Sequence, residues 1–330
     1  MAAARRIVPH LWYDTEAKDA AQFYCSVLPD SKITNITTLR DTPSGDTDVV
    51  SFELSDQPFM AISAGPLFRF NPSISFLIAC RTKGEVDELW RALAQGGTAL
   101  LPLDAYPFSE RYGWTTDRYG LSWQIVYAGD RPIRQTITPT LMFAGRVYGK
   151  AAEAIVHYTS IFKKAKVGDI LRYGTGEEPD TEGTVRYATF ELLGQEFAAM
   201  DSARAHEFAF NEAISLMVFC DTQEEIDHYW SRLSHVPEAE QCGWLKDRYG
   251  LSWQIVPAGM DEMMRRGSTE QIARVTQAFL KMKKLDLAAL QRAYEGGHDR
   301  PLLRGAEEPG DRRAPSGPEL AGARRREPVA

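Results

Sequence analysis

The sequence predicts an α+β protein built from two copies of one domain, each copy made of two βαβββ units. The ten residues Asp-Arg-Tyr-Gly-Leu-Ser-Trp-Gln-Ile-Val at 117–126 recur unchanged at 247–256, 130 positions later, and so long an identity indicates an internal duplication. Short β-rich segments alternate with segments of helical periodicity in both copies. Thr82 and Thr222 each begin a Thr-x-x-Glu capping box, a helix-start signal at matching places.

The duplication extends well beyond the ten-residue segment. The offset between equivalent residues drifts from 130 to 140 and returns to 130, because insertions fall in loops while the secondary-structure elements persist. Equivalent residues in the two copies include Pro9 and Pro139, Tyr24 and Tyr158, Leu54 and Leu192, Trp90 and Trp230, Tyr112 and Cys242, and Trp114 and Trp244.

The first unit begins with a predicted strand at 7–13, in which Pro9 takes an edge position. Alanines and Tyr24 recur at helical spacing and predict a helix at 15–28. A Ser-Asp pair makes a tight turn between the last two strands of the unit. These strands are expected at 32–39, 48–55 and 58–63.

The second unit opens with a predicted strand at 73–80. The capping box at Thr82 starts its helix, Trp90 lies on the apolar stripe of that helix, and Gly96-Gly97 ends it. The second copy is expected to repeat this order. The remaining strands of the first copy are expected near 98–101, 110–116 and 121–127.

A helical extension should follow the repeats. Ser268-x-x-Gln271 is a capping box ahead of an amphipathic helix, and Leu285 to Tyr294 form a second apolar turn. The last residues are rich in Pro, Gly, Arg and Glu, a composition typical of disorder. We therefore divide the chain into an N-terminal tail at 1–6, domains at 7–130 and 131–260, an extension at 261–295 and a disordered tail at 296–330.

Composition indicates a soluble globular protein. Hydrophobic residues make up 44% of the chain, charged residues 25%, and the net charge is −7, which argues against nucleic-acid or membrane partners. No apolar run approaches the ~20 residues of a membrane span. The four cysteines form no CxxC pair, so reduced thiols and a cytoplasmic location are expected. Fusion of two copies makes either a monomeric pseudo-dimer or a homodimer possible.

Four segments give the chain a family resemblance. They are Pro-His-Leu-Trp-Tyr-Asp…Phe-Tyr at 9–24, Phe-Met-Ala-Ile-Ser-Ala-Gly-Pro at 59–66, Ile-Ser-Phe at 74–76, and Gly-Trp-Leu-Lys-Asp-Arg-Tyr-Gly-Leu-Ser-Trp-Gln-Ile-Val-Pro at 243–257. With them the chain resembles a tandem PhnB-like member of the vicinal oxygen chelate superfamily, which includes glyoxalases, bleomycin-resistance proteins and extradiol dioxygenases. The resemblance covers about residues 7–258.

The resemblance implies curled sheets that form cups, each with ligand positions on four strands. If the two halves exchange strands, the positions group as His10, Ala61, Ser215 and Gln254 in one cup, and as Thr140, Ala199, Ser75 and Gln124 in the other. If each half closes alone, Ser75 and Gln124 join His10 instead. Relatives place Glu where both copies have Gln.

Neither grouping predicts a strong metal site, because divalent cations favour imidazole and anionic oxygen ligands. The expected function is therefore binding of a small apolar or aromatic molecule without a cofactor. His10 then serves as a pocket residue, and Gln124 and Gln254 bind ligand or fasten the cup wall. The alternative is a metal-dependent lyase or oxidoreductase of glyoxalase or dioxygenase type, with Zn, Ni, Mn or Fe on His10 and the glutamines assisting catalysis.

Aromatic residues are candidates for the ligand-binding wall. Trp12 shares the strand face of His10, and two pairs of equivalent aromatics lie on neighbouring loops and strands. These pairs are Phe70 with Phe210 and Trp114 with Trp244.

Domains of this kind are often labelled 3-demethylubiquinone 3-methyltransferases. The sequence does not favour S-adenosylmethionine chemistry, because it lacks a Gly-rich turn between a strand and a helix. The one Gly-x-Gly considered, Gly174-Thr-Gly176, falls in an acidic loop.

Overall fold

A computed structural model describes residues 7–296 of the chain. The predicted tails at 1–6 and beyond 296 lie outside these residues. The strands are β1 (Ile7–Tyr13), β2 (Lys32–Thr42), β3 (Gly45–Leu54), β4 (Gln57–Ser63), β5 (Ile74–Cys80), β6 (Thr98–Tyr106), β7 (Ser109–Thr116), β8 (Ser122–Tyr127), β9 (Ile137–Ala144), β10 (Lys166–Arg172), β11 (Val185–Leu192), β12 (Gln195–Ser202), β13 (Ile214–Cys220), β14 (Trp244–Lys246) and β15 (Ser252–Pro257). The α-helices are α1 (Ala17–Val27), α2 (Lys83–Leu93), α3 (Ala151–Ile161), α4 (Gln223–Leu233), α5 (Ala258–Arg266), α6 (Thr269–Phe279) and α7 (Leu287–Glu295).

The strands form two curled sheets, and each sheet takes one unit from each copy. The seven-stranded sheet has the order β14-β15-β13-β1-β4-β3-β2, and the eight-stranded sheet has the order β10-β11-β12-β9-β5-β8-β7-β6. The copies meet where β1 runs antiparallel to β13 and β5 antiparallel to β9. The structure therefore has the exchanged arrangement. We call the concave face of the seven-stranded sheet the first cup and that of the eight-stranded sheet the second cup.

The predicted α+β class, the tandem duplication with its curled sheets and the C-terminal helix are confirmed. The capping boxes at Thr82 and Ser268 form as expected, with the N3 side chain bonded back to the cap in both. The fourth unit departs from the pattern within the described residues, because α4 is followed by a 3-10 turn at Pro237–Ala239 where the first copy has β6. Only β14 and β15 complete that unit.

The C-terminal extension packs on the edge that the shortened unit leaves open. The backbone N–H of Cys242 donates to the Met282 carbonyl at 2.8 Å, and that of Gly243 donates to the Lys283 carbonyl at 2.7 Å. Gly243 has a φ of +86°, and a Cβ at this position would lie 3.1 Å from Leu285. Glycine is therefore what lets the extension approach so closely.

The repeated ten-residue segment forms a buried cage around its aspartate. The carboxylate of Asp117 accepts hydrogen bonds from the Tyr24 hydroxyl at 2.7 Å and the Trp123 indole at 2.8 Å. It also accepts bonds from the backbone N–H groups of Tyr119 and Leu121. Asp247 repeats all four contacts in the second copy. Each cage fixes a helix to the turn before the last strand of the opposite sheet.

Candidate functional site

The polar centre of the first cup joins strands from both copies. His10 on β1 lies directly opposite Ser215 on β13. Gln254 on β15 donates from Nε2 to Ser215 Oγ at 2.9 Å. All three side chains are buried. The exchange of strands between the halves therefore brings these three residues into one cup.

Burial determines the protonation state of the His10 imidazole. Desolvation lowers the pKa of its imidazole to about 3, so the ring is neutral at physiological pH. Its Nδ1 atom is buried without a hydrogen-bond partner. The ring packs edge-on against Trp244 with centroids 5.5 Å apart. Where a neutral imidazole faces a cavity, its ring can donate to or accept from a ligand, depending on its tautomer.

The first cup contains a partly open cavity of about 170 Å³. Trp12, Met60, Ile62, Met217 and Trp244 belong to its sheet wall, beside His10 and Gln254. The wall is mainly apolar, and among its described residues there is no lysine or arginine. An engineered cavity of about 150 Å³ is large enough to bind benzene. The first cup therefore has room for a single substituted ring.

The C-terminal extension roofs this cavity. Met260 and Met264 of α5, Phe279 of α6 and Leu285 line it from the side opposite the sheet. The same side chains form a buried apolar cluster with β-sheet residues such as Val256. The sequence predicted a helical extension after the repeats but assigned it no part in the site. The strong amphipathic pattern around Phe279 was the available signal.

The second cup holds an aromatic side chain where the first cup has its cavity. Tyr112 is buried, and its hydroxyl donates to Gln124 Oε1 at 2.7 Å. Gln124 Nε2 donates to Ser75 Oγ at 2.8 Å. The Tyr112 ring packs edge-on against Phe108 with centroids 4.9 Å apart. At the equivalent position of the first cup stands Cys242, which lines the cavity.

The structure does not bring every predicted residue to a cup. Phe70 packs on Tyr13, with centroids 4.9 Å apart, and Phe210 packs on Phe143 at 5.2 Å. Both lie on the helix side of the sheets, in the large core. Trp114 lies opposite Gln124 in the second cup, where its indole N–H donates to Ser122 Oγ at 2.8 Å.

The ligand positions implied on β4 and β12 are wrong by one residue. Ala61 and Ala199 belong to the core on the helix side. Met60 and Ile62 line the first cavity instead, because successive side chains of a strand point to opposite faces. A methionine and an isoleucine replace the alanine that the resemblance placed in the cup.

Neither polar centre fits a divalent metal. His10 is the single imidazole among the described residues of the first cup's wall, and Ser215 and Gln254 are hydrogen-bonded to each other. In the second cup Thr140 Oγ1 donates to the Thr138 carbonyl at 3.3 Å, and Ser75 and Gln124 form the pair described above. Across residues 7–296 no group of three or more His, Cys, Asp or Glu side chains is placed to hold a metal. Donor sets of this kind lack the anionic ligands that offset loss of a hydration shell.

Gly174 and Gly176 lie in the exposed loop between β10 and β11. They do not connect a strand to a helix, which is the geometry of a nucleotide-binding turn. Among the helices described here, none is long and apolar enough to cross a membrane.

A family model matches the chain twice, at residues 5–126 and 135–256, and its description is 3-demethylubiquinone-9 3-methyltransferase. The chain belongs to this family. The two matches coincide with the two PhnB-like copies that the sequence predicted. A search of curated proteins finds no significant match.

Solved structures of similar proteins include the PhnB protein of Bacillus cereus, at 35% identity, which aligns with 38% of this chain and 100% of its own length, with a TM-score of 0.36. A Pseudomonas aeruginosa protein is 24% identical over 38% of this chain and 99% of its own, with a TM-score of 0.34. A glyoxalase I mutant from Zea mays is 12% identical over 78% of this chain and 97% of its own, with a TM-score of 0.49.

Proposed function

We propose that this family member binds a small, uncharged, apolar or aromatic molecule in the first cup, without a tightly bound metal. The observation that carries the proposal is the contrast at one repeat position. Tyr112 is buried in the second cup, whereas the first cup has Cys242 and a mainly apolar, partly open cavity. Ligand sites are typically such cavities, with a few convergent polar groups for orientation.

The polar groups of the cavity support an uncharged ligand. His10 is neutral, and no lysine or arginine among the described wall residues could neutralise an anion. Burying an unpaired charge costs far more than burying an apolar ring. Asp261 is the one carboxylate among the described wall residues, and it adds to the barrier against anions. Methyl transfer from S-adenosylmethionine is no part of this proposal.

The first test measures binding of an apolar probe. Toluene should bind the wild-type protein with a dissociation constant on the order of 1 mM or below, about −0.6 kcal/mol per heavy atom. The replacement Cys242→Tyr should abolish binding, because the tyrosine fills the cavity as Tyr112 fills the second cup. Calorimetric titration and a ligand-induced rise in Tm report the binding.

Cys242→Ser is the matched control, since it changes the same residue without filling the cavity. It should bind toluene like the wild type. Both variants should keep the wild-type far-UV circular dichroism, because the first copy already accommodates tyrosine at this repeat position. Binding that survives in Cys242→Tyr, or no binding to the wild type, would contradict the proposed site.

The second test concerns metal. After incubation with Zn²⁺, Ni²⁺, Mn²⁺ or Fe²⁺ and removal of unbound ions, we expect well under one metal per chain by elemental analysis, since the donor set is weak. The imidazole of His10 in the cavity wall is what would favour the alternative, a metalloenzyme. One metal per wild-type chain, lost on His10→Ala, would replace the binding proposal with that alternative.

A further inference from the structure

In the second cup, a side chain of the protein itself occupies the place that a ligand would take. The side chain of Tyr112 is a para-substituted phenol, enclosed among aromatic residues. Its hydroxyl donates to Gln124 Oε1 at 2.7 Å, and the amide of Gln124 is held in turn by Ser75. This arrangement shows what the glutamine of this repeat recognises when a ring occupies the cup.

The first cup has the same recognition groups without the ring. Gln254 Nε2 donates to Ser215 Oγ at 2.9 Å, against 2.8 Å for the Gln124 and Ser75 pair. The strand register is also the same, since Trp244 lies opposite Gln254 as Trp114 lies opposite Gln124. No donor among residues 7–296 reaches Gln254 Oε1. The acceptor that binds the hydroxyl of Tyr112 in one cup is thus free in the other.

We infer that the first cup selects a neutral phenol whose hydroxyl donates to Gln254 Oε1, as the hydroxyl of Tyr112 donates to Gln124. The inference rests on the proposed function and names the class of ligand for that site. The cavity of about 170 Å³ accommodates one ring with small substituents. His10, which also lines the cavity, offers a second polar contact to a substituent on that ring.

The phenol binds in its neutral form. Burial raises the pKa of the Tyr112 hydroxyl, with the nearby Tyr106 and Tyr187 acting in the same direction. The first cup is also apolar and contains no lysine or arginine among its described wall residues. A phenolate or a benzoate would lose its hydration there without gaining a partner. An uncharged hydroxyl instead gains the Gln254 Oε1 acceptor at the cavity wall.

The test compares p-cresol with toluene, which differs from it only by the hydroxyl. The wild-type protein should bind p-cresol ~10-fold more tightly than toluene, the effect of one well-placed neutral hydrogen bond. Gln254→Met keeps the length of the side chain but removes the acceptor. In this variant the affinity ratio should fall to about one, with toluene binding retained. The anionic control, 4-methylbenzoate, should not bind.

The outcomes separate this inference from the proposed function. Equal affinity of the wild type for p-cresol and toluene overturns the phenol assignment and leaves apolar binding intact. Binding of neither compound overturns both. If the ratio of the p-cresol and toluene affinities is unchanged in Gln254→Met, Gln254 does not recognise the hydroxyl.

A second measurement does not depend on the folding of the Gln254 variant. Tyr112→Ala should open a cavity in the second cup, beside an intact Gln124 and Ser75. Added p-cresol should then raise the Tm of Tyr112→Ala more than it raises that of the wild type, and more than toluene does. If p-cresol and toluene raise the Tm of Tyr112→Ala by the same amount, Gln124 does not recognise the hydroxyl and the inference is overturned.

Discussion

Replacing Asp247 with alanine will lower the free energy of unfolding by about 4 kcal/mol. The buried carboxylate accepts hydrogen bonds from Tyr158 at 2.7 Å, Trp253 at 2.9 Å and the backbone N–H groups of Tyr249 and Leu251. Alanine leaves these four donors unpaired, and each buried unpaired group costs about 1–3 kcal/mol. Relaxation and water entry recover part of the sum, which gives the smaller net figure.

Urea unfolding at neutral pH, followed by circular dichroism, measures this loss. Asp117→Ala removes the equivalent cage of the first copy and should cost a similar amount. Asp130 is exposed, so Asp130→Ala should change the free energy of unfolding by less than about 0.5 kcal/mol. A cost below about 1 kcal/mol for Asp247→Ala would show that the cage does not hold the helices to the sheets.

The cage also explains why ten residues are identical in both copies. Asp117, Tyr119, Leu121 and Trp123 each contribute an atom to it, and the same four types recur at the second copy. Gln124, two residues before the end of the identical stretch, joins the cup wall instead. The identity therefore reflects a structural requirement for most of the segment, while the glutamine retains a polar face toward the cup.

Local patterns in the sequence were sufficient to predict most secondary-structure elements and some of the residues that line the site. Strand alternation placed His10 and Trp12 on one face, and both line the first cavity. The repeat alignment placed Ser215 and Gln254 with them once the halves exchange strands. That exchange itself depends on the pairing of β1 with β13, which are far apart in the chain, and no local pattern determines such a pairing.

The remaining features of the site arise from long-range packing. The roof formed by Met260 and Met264 belongs to α5, a helix that the sequence analysis did not predict. This helix follows β15 directly and contacts β2 from the other copy, a packing between distant parts of the chain. The contrast between Tyr112 and Cys242 is different, since the aligned repeats already display it. The alignment alone does not show that the two residues belong to the cups, where one side chain is large and the other small.

Acidification will destabilise the protein through His10, by about 2 kcal/mol at pH 5 relative to neutral pH. Burial lowers the pKa of this imidazole from 6.5 to about 3 in the folded chain. The unfolded chain therefore binds a proton below pH 6.5 that the folded chain refuses until about pH 3. The contribution of neutral His10 is complete above pH 6.5 and is lost as the pH falls toward 3, at about 1.4 kcal/mol per pH unit.

The variant His10→Gln isolates this effect, because glutamine does not titrate while all other ionisable groups remain. We expect the difference in unfolding free energy between wild type and variant to shift by about 2 kcal/mol between pH 7 and pH 5, in favour of the variant at low pH. Urea titrations at pH 7, 6 and 5 measure the slope. A difference independent of pH would mean that His10 is hydrated in the folded protein, and a hydrated His10 would also remove the argument for an apolar, uncharged ligand in the first cup.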